Sequence, residues 1–131
     1  MKKNKISKNW IYRQKTDIYV RKSKIEGYRS RAVYKLKELD EKFQLTKNIS
    51  SAIDLGAAPG SWSQYLSRKI PKGKILSIDL LEFQKIEKVH ILKGDFTDIK
   101  NQNEIADFFK SKVDLIVSDM AVNTTGNKNL D

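Results

Sequence analysis

The sequence predicts an α/β fold of the Rossmann-like class with a mainly parallel sheet, and three observations predict it. Short apolar segments recur along the chain, at residues 51–55, 74–80, 89–92 and 113–119. Segments with helical spacing of apolar residues alternate with them, which favours parallel pairing through right-handed crossovers. The sequence DLGAAPG follows the first apolar segment, at residues 54–60, where sheets of this class bind their ligands.

Residues 30–43 (SRAVYKLKELDEKF) predict the first long helix. Ser30 is the expected N-cap. One apolar stripe is expected along this helix, formed by Val33, Leu36, Leu39 and Phe43. A shorter helix is predicted before it, around residues 10–20. The strand at 51–55 ends at the Gly/Ala/Pro turn.

Residues 61–69 predict the next helix, with Trp62, Tyr65 and Leu66 facing inward and Ile70-Pro71 ending it. The second and third strands follow at 74–80 and 89–92. A helix at 103–112 should bury one side, formed by Ile105, Phe108 and Phe109. The fourth strand, at 113–119, is nearly continuous in its apolar residues, so we expect it to be buried on both faces.

Length and composition narrow the class of protein. A chain of 131 residues is expected to form one domain. It has no cysteine, which excludes disulfides and thiolate metal sites, and we predict no metal. No apolar run approaches the ~20 residues that span a bilayer, and no signal peptide is recognisable, so we expect a cytoplasmic protein.

The positive charge lies at one end. The net charge is +10, with fifteen Lys/Arg against five Asp/Glu in residues 1–50 and eleven of each in residues 51–131. Aromatic residues are interleaved with the charge, which suits base stacking beside phosphate contacts. We therefore predict a basic nucleic-acid-binding arm at 1–27 and a domain at 28–131. The alternatives are a solvated basic tail and, less favoured because 1–27 shows no clean amphipathic stripe, a membrane-binding segment.

The ends of the four predicted strands carry the candidate ligand site. Polar or glycine residues stand at all of them: Asp54 with Gly56, then Asp79, Asp95 and Asp119. Gly56 and Gly60 would let the backbone approach a ligand closely. Asp79, nineteen residues after Gly60, is placed to accept hydrogen bonds from ribose hydroxyls. The spacing Gly-x-x-x-Gly differs from the G-x-G-x-x-G of dinucleotide enzymes and favours a smaller ligand such as S-adenosylmethionine.

These motifs together resemble the FtsJ (RrmJ) family of ribosomal RNA 2′-O-methyltransferases. The resemblance covers roughly residues 27–127 and rests on SRAVYKLKELDEKF, AIDLGAAPGSWSQYL, GKILSIDLLEF, LKGDFTD and LIVSDMAVNTTG. Two positions depart from the family pattern. Ser61 stands where the family usually has a second glycine, and Val122 stands where it usually has proline.

The resemblance implies a methyltransferase fold that binds S-adenosylmethionine, and a substrate in large-subunit (23S) ribosomal RNA, with uridine as the expected nucleotide. It implies cofactor contacts at Gly56, Gly60, Trp62, Asp79, Asp95 and Asp119. It also implies that Lys35 and Asp119 are two members of a Lys-Asp-Lys-Glu catalytic set. Arg29, Arg31 and Lys35 are the expected RNA contacts. A lysine can act as the base for a ribose 2′-hydroxyl once its pKa is lowered.

The other lysine and the glutamate of that set should come from later strands, so we expect a chain truncated after the fourth strand of the family fold. If intact, it should be a monomer. The leading hypothesis is the cofactor half of such a methyltransferase. One alternative is an inactive remnant that still binds RNA or cofactor. Another is a different Rossmann-like enzyme, such as a small-molecule methyltransferase or a dehydrogenase.

Overall fold

A computed structural model describes residues 17–119, which form a four-stranded sheet and the helices around it. The strands are β1 (Ser51–Leu55), β2 (Lys74–Asp79), β3 (Val89–Lys93) and β4 (Leu115–Ser118). All pairs are parallel, and the spatial order is β3-β2-β1-β4. The predicted α/β class with a parallel sheet is therefore confirmed.

Four helices lie within the described residues: α1 (Ile18–Glu26), α2 (Val33–Phe43), α3 (Ser61–Lys69) and α4 (Ile99–Phe109). Successive residues of a strand face opposite sides of a sheet. Ile75 accordingly packs with Leu36 and Leu66 from α2 and α3, while Leu76 packs with Phe109 from α4. The helices therefore cover both faces of the sheet. No helix between residues 17 and 119 is long and apolar enough to cross a membrane.

Aspartate caps set where two helices begin. The Asp17 carboxylate accepts hydrogen bonds from the backbone N–H groups of Tyr19 and Val20, so α1 begins at Ile18. Of the helix predicted around 10–20, residues 10–16 lie outside the described part. The Asp98 carboxylate caps α4 by accepting from the Lys100 N–H, so this helix begins before the predicted residue 103. It ends at Phe109, also before the predicted end at 112.

The prediction for α2 is wrong in two details. The helix begins at Val33 and has no side-chain N-cap, because the Ser30 hydroxyl instead lies 2.9 Å from the Ser61 hydroxyl. Leu39 and Phe43 are 37% and 60% exposed. Tyr34 and Asp40 are buried together with Val33 and Leu36.

The expectation for the fourth strand is also wrong in part. Val117 is buried, but Ile116 is 59% exposed. β4 is an edge strand of the described sheet and pairs only with β1 there. The apolar cluster around α4 does not include Ile116, so this face of β4 stays open within the described residues. Apolar composition alone did not reveal this one-sided burial.

Helix α1 belongs to the predicted arm and packs on the domain. The Tyr19 and Tyr34 rings lie 5.5 Å apart, and Ser23 is buried. The Tyr34 hydroxyl donates to the Glu26 carboxylate. The described part of the arm is thus in contact with α2, and the boundary between residues 27 and 28 stays a prediction.

Candidate functional site

The parallel register brings the predicted site residues to one edge of the sheet. Leu55 is level with Ile78 of β2 and with Ser118 of β4. Asp79 is level with Lys93 of β3. The residues that follow these positions, including Gly56, Asp95 and Asp119, therefore leave the sheet at the same edge.

The turn after β1 is held against the end of β2. The N–H groups of Gly56 and Ala57 donate to the Ile78 carbonyl at 2.8 and 3.2 Å. The Ala58 N–H donates to the Asp79 carboxylate at 2.9 Å. Asp79 also accepts from the Leu81 N–H at 2.8 Å. This carboxylate thus fixes the turn while keeping acceptor capacity for a ligand, since a carboxylate offers about four lone-pair sites.

The backbone conformation of Gly60 and its neighbouring side chains both favour glycine at this position. Its φ of 114° favours glycine. A Cβ atom there would lie 2.8 Å from Ile86 Cδ1 and 2.9 Å from the Arg29 guanidinium. The protein's own side chains therefore occupy the space, and contact between Gly60 and a cofactor stays a prediction.

Asp54 is a residue of β1 that is buried beneath the turn and contacts the first turn of α3. Its carboxylate accepts from the Ser63 hydroxyl at 2.7 Å and from the Ser63 backbone N–H, and the Ser63 hydroxyl also contacts that of Ser77. Burial raises the pKa of Asp54 to about 7, and the charge of Asp119 adds to this effect. The positive end of α3 thus already faces a carboxylate of the protein.

A small cavity lies over the turn, and we call it the inner cavity. Its volume is about 50 Å³, and its lining includes Gly56, Pro59, Trp62 and Asp119. Trp62 is buried, and its indole N–H donates to the Ala32 carbonyl at 2.8 Å. The ring therefore belongs to both the core and the cavity wall.

Asp95 lies beyond β3 at the same edge. One of its carboxylate oxygens accepts from the backbone N–H and the hydroxyl of Thr97, at 2.9 and 2.8 Å. These hydrogen bonds hold the pKa of Asp95 below its ordinary value. Asp95 is therefore an exposed, ionised acceptor next to the end of β3.

A larger groove, which we call the outer groove, lies along α1 and α2. Its volume is about 500 Å³. The lining combines tyrosines, cations and carboxylates: Tyr19, Lys22, Arg31, Ala32, Tyr34, Lys35, Lys37, Glu38, Glu41 and Asp119. Lys35 Nζ lies 3.5 Å from Asp119 Oδ1, and the Lys35 side chain is 69% exposed. The structure thus brings together the two residues predicted to be catalytic.

The inner cavity and the outer groove share two lining residues, Ala32 and Asp119. A ligand in one would therefore lie beside a ligand in the other, with the Lys35–Asp119 pair at the junction. This arrangement suits transfer of a group between two bound molecules.

The two predicted RNA-contacting arginines have different surroundings. Arg31 is exposed, lines the outer groove and pairs with Asp17 at 2.5 Å. The Arg29 guanidinium instead donates to backbone carbonyls of Pro59, Gln84 and Lys85. The sequence did not predict those contacts. Tyr19, one of the aromatic residues interleaved with the basic charge, is 42% exposed and lines the groove.

The chain's single histidine, His90, lines neither the inner cavity nor the outer groove. His90 stacks on Phe108 with ring centres 4.8 Å apart and lies 3.2 Å from Glu104. Between residues 17 and 119, no group of three or more His, Asp and Glu side chains could hold a metal. Val122 lies outside the described residues.

Comparisons with known proteins found a matching family model, curated relatives and a similar solved structure. A family model described as FtsJ-like methyltransferase matches residues 28–131. A Pelagibacter ubique protein named ribosomal RNA large subunit methyltransferase E is 61% identical over the whole chain, which spans 64% of that protein's length. A Zymomonas mobilis protein of the same name is 50% identical over 95% of the chain, and the match spans 57% of that protein's length. A Plasmodium falciparum crystal structure described as a ribosomal RNA methyltransferase has a TM-score of 0.62 and 34% identity, covering 79% of this chain and 62% of that one.

Proposed function

The chain belongs to the FtsJ-like methyltransferase family, and on that premise we propose that it transfers a methyl group from S-adenosylmethionine to a ribose 2′-hydroxyl of large-subunit ribosomal RNA. The observation that carries the proposal is the junction of the inner cavity and the outer groove at Lys35 and Asp119. The inner cavity meets a groove there that is lined by four basic and three acidic side chains, and Lys35 lies on the groove side of Asp119.

The residues around the inner cavity fit S-adenosylmethionine. Asp79 and Asp95 can accept hydrogen bonds from ribose hydroxyls at the open edge of the sheet. Asp119 offers a negative charge to the positively charged end of the molecule. The cavity of about 50 Å³ is far smaller than the roughly 300–1,000 Å³ of ligand pockets. Most of the molecule would therefore lie along the edge marked by Gly56, Asp79 and Asp95.

S-adenosylmethionine supplies an electrophilic methyl group on a sulfonium. The chain's own part is to orient the acceptor hydroxyl and to take up its proton. A neutral lysine amine can accept that proton. Lys35 lines the outer groove, and its Nζ lies 3.5 Å from Asp119 Oδ1, which also belongs to a residue that lines the inner cavity. Asp119, at 3.5 Å, holds the lysine in place.

The outer groove suits single-stranded RNA. Lys22, Arg31 and Lys37 offer cations to phosphates, and the exposed Tyr19 ring offers a stacking surface for a base. The sequence before Asp17 adds six further Lys/Arg residues and no acidic residue. We further propose that the acceptor is a uridine in the large subunit, and that the protein acts in the cytoplasm as a monomer.

The test is transfer of a labelled methyl group from S-adenosylmethionine to ribosomal RNA or large subunits. The product bond is identified by its resistance to alkaline hydrolysis, which a 2′-O-methyl group confers on the adjacent phosphodiester. Asp119→Asn should abolish most of the transfer, whereas Asp107→Asn, an exposed change on α4, should not. Binding of cofactor and RNA without any transfer would refute catalysis by this chain and support the binding-remnant alternative.

A further inference from the structure

The Arg29 side chain joins two loops that belong to the cofactor side of the molecule. Nη1 donates to the Pro59 carbonyl at 2.9 Å and to the Gln84 carbonyl at 2.6 Å. Nη2 donates to the Lys85 carbonyl at 2.8 Å. Pro59 lies in the turn after β1, and Gln84 and Lys85 lie in the connection between β2 and β3.

The backbone of Arg29 is also fixed by hydrogen bonds. Its backbone N–H donates to the Gln64 side chain at 2.8 Å, and the Gln64 amide donates to the Gly27 carbonyl at 3.1 Å. Gln64 lies on α3, which begins directly after the turn. At Gly60 the guanidinium fills the space that a side chain would need. The arginine is therefore fixed at both its backbone and its tip.

The two joined loops stand on either side of Asp79. The turn donates its Ala58 N–H to Asp79, and the β2–β3 connection begins with the next residue, Leu80. Leu81 of that connection also donates its N–H to Asp79, so the distance between the loops sets how the two donors are placed on this carboxylate. Three hydrogen bonds from one planar guanidinium fix that distance. A lysine ammonium cannot make the same three hydrogen bonds, because it lacks the planar arrangement of donors.

We propose that Arg29 is a positioning residue of the cofactor site: it clamps the turn after β1 to the β2–β3 connection, and it does not bind RNA. This inference rests on the proposed function, because it assigns the Asp79 carboxylate to S-adenosylmethionine. The proposed role replaces the expectation from the sequence that the Arg29 guanidinium contacts RNA.

The test compares two substitutions that keep the positive charge, Arg29→Lys and Arg31→Lys. Calorimetric titration with S-adenosylmethionine should show at least tenfold weaker binding for Arg29→Lys and less than a twofold change for Arg31→Lys. RNA affinity should stay within twofold of wild type in Arg29→Lys. Unchanged cofactor affinity with weakened RNA binding would overturn the proposal and return Arg29 to the RNA contacts.

Amide hydrogen exchange of the ligand-free protein provides a readout that needs no cofactor. Arg29→Lys should speed exchange in the turn at 56–60 and in the connection at 83–86, while exchange at Leu76 in the buried strand β2 stays slow. Unchanged exchange in both loops would overturn the clamp. Faster exchange at Leu76 as well would also overturn it, since the arginine would then support the whole fold. Wild-type protein that binds no S-adenosylmethionine would refute the proposed function, and the exchange result would still decide the clamp.

Discussion

Replacing Asp54 by Asn should stabilise the protein at pH 8 and leave its stability nearly unchanged at pH 4. Asp54 is 1% exposed, and burial raises the pKa of its carboxyl from the ordinary 3.8 to about 7. Asparagine can still accept the hydrogen bond from Ser63 but never ionises. The substitution therefore removes the cost of a buried charge and keeps one acceptor in place.

The magnitude follows from the two pKa values. A rise of about three units corresponds to about 4 kcal/mol between the ionised and protonated forms. Below pH 3.8 the carboxyl is protonated in the folded and unfolded states, so its ionisation costs nothing. Between pH 3.8 and about 7 the unfolded chain has lost the proton and the folded protein retains it, so stability falls as the pH rises. Above pH 7 the full cost is present.

The assay is urea unfolding of wild type and Asp54→Asn from pH 4 to pH 8 at constant ionic strength. The difference in unfolding free energy should grow from near zero to about 4 kcal/mol. Asp40→Asn is the matched control, because Asp40 is also buried but has the opposite shift. Burial raises its pKa, yet hydrogen bonds from Tyr65 and Thr46 outweigh burial and hold the pKa below its ordinary value. Asp40→Asn should therefore destabilise the protein at pH 6. Parallel curves for wild type and Asp54→Asn would refute the reasoning.

Three further outcomes are expected. Lys35→Ala should slow methyl transfer by about 10²–10⁴-fold. It should change the unfolding free energy by less than about 1 kcal/mol, since the side chain is largely exposed. Lys37→Ala removes the same charge from the groove, and an equal loss of transfer in that variant would argue against a base at Lys35. Tyr19→Ala should weaken binding of single-stranded RNA by about 1–3 kcal/mol in a fluorescence titration. Tyr19→Phe keeps the aromatic ring and should bind RNA like wild type. An equal loss of RNA affinity in both variants would contradict stacking. Gly60→Ala should lower the unfolding free energy by about 1–3 kcal/mol, because alanine is strained at a φ of 114°, and a urea midpoint equal to that of wild type would count against this account.

The elements that the sequence predicted well are those whose signals are local. The strands at 51–55 and 74–80 are short apolar runs bounded by turn residues, and the helix at 61–69 lies between a glycine and a proline. Helix α4 was predicted too late in the chain because its first turn is polar. The Asp98 cap was the signal that could have placed its start.

The site was predicted in outline, and its contacts were not. Strand ends pointed to Asp79, Asp95 and Asp119 because parallel strands share one carboxyl edge. The partners of Arg29 lie 30, 55 and 56 residues away along the chain, so spacing could not indicate them. From sequence alone, an arginine in a basic segment is expected to contact phosphate. Only the fold shows that backbone carbonyls accept the hydrogen bonds of Arg29.

If the methyl donor and RNA bind as proposed, the wall common to the inner cavity and the outer groove couples their two binding equilibria. Because Asp119 faces both spaces, a molecule in either one alters the field that the other experiences. Thermodynamic linkage makes this effect reciprocal: if the methyl donor tightens the hold on RNA, RNA must tighten the hold on the donor by the same factor. An affinity measured for either partner alone would then describe only one of two linked binding equilibria.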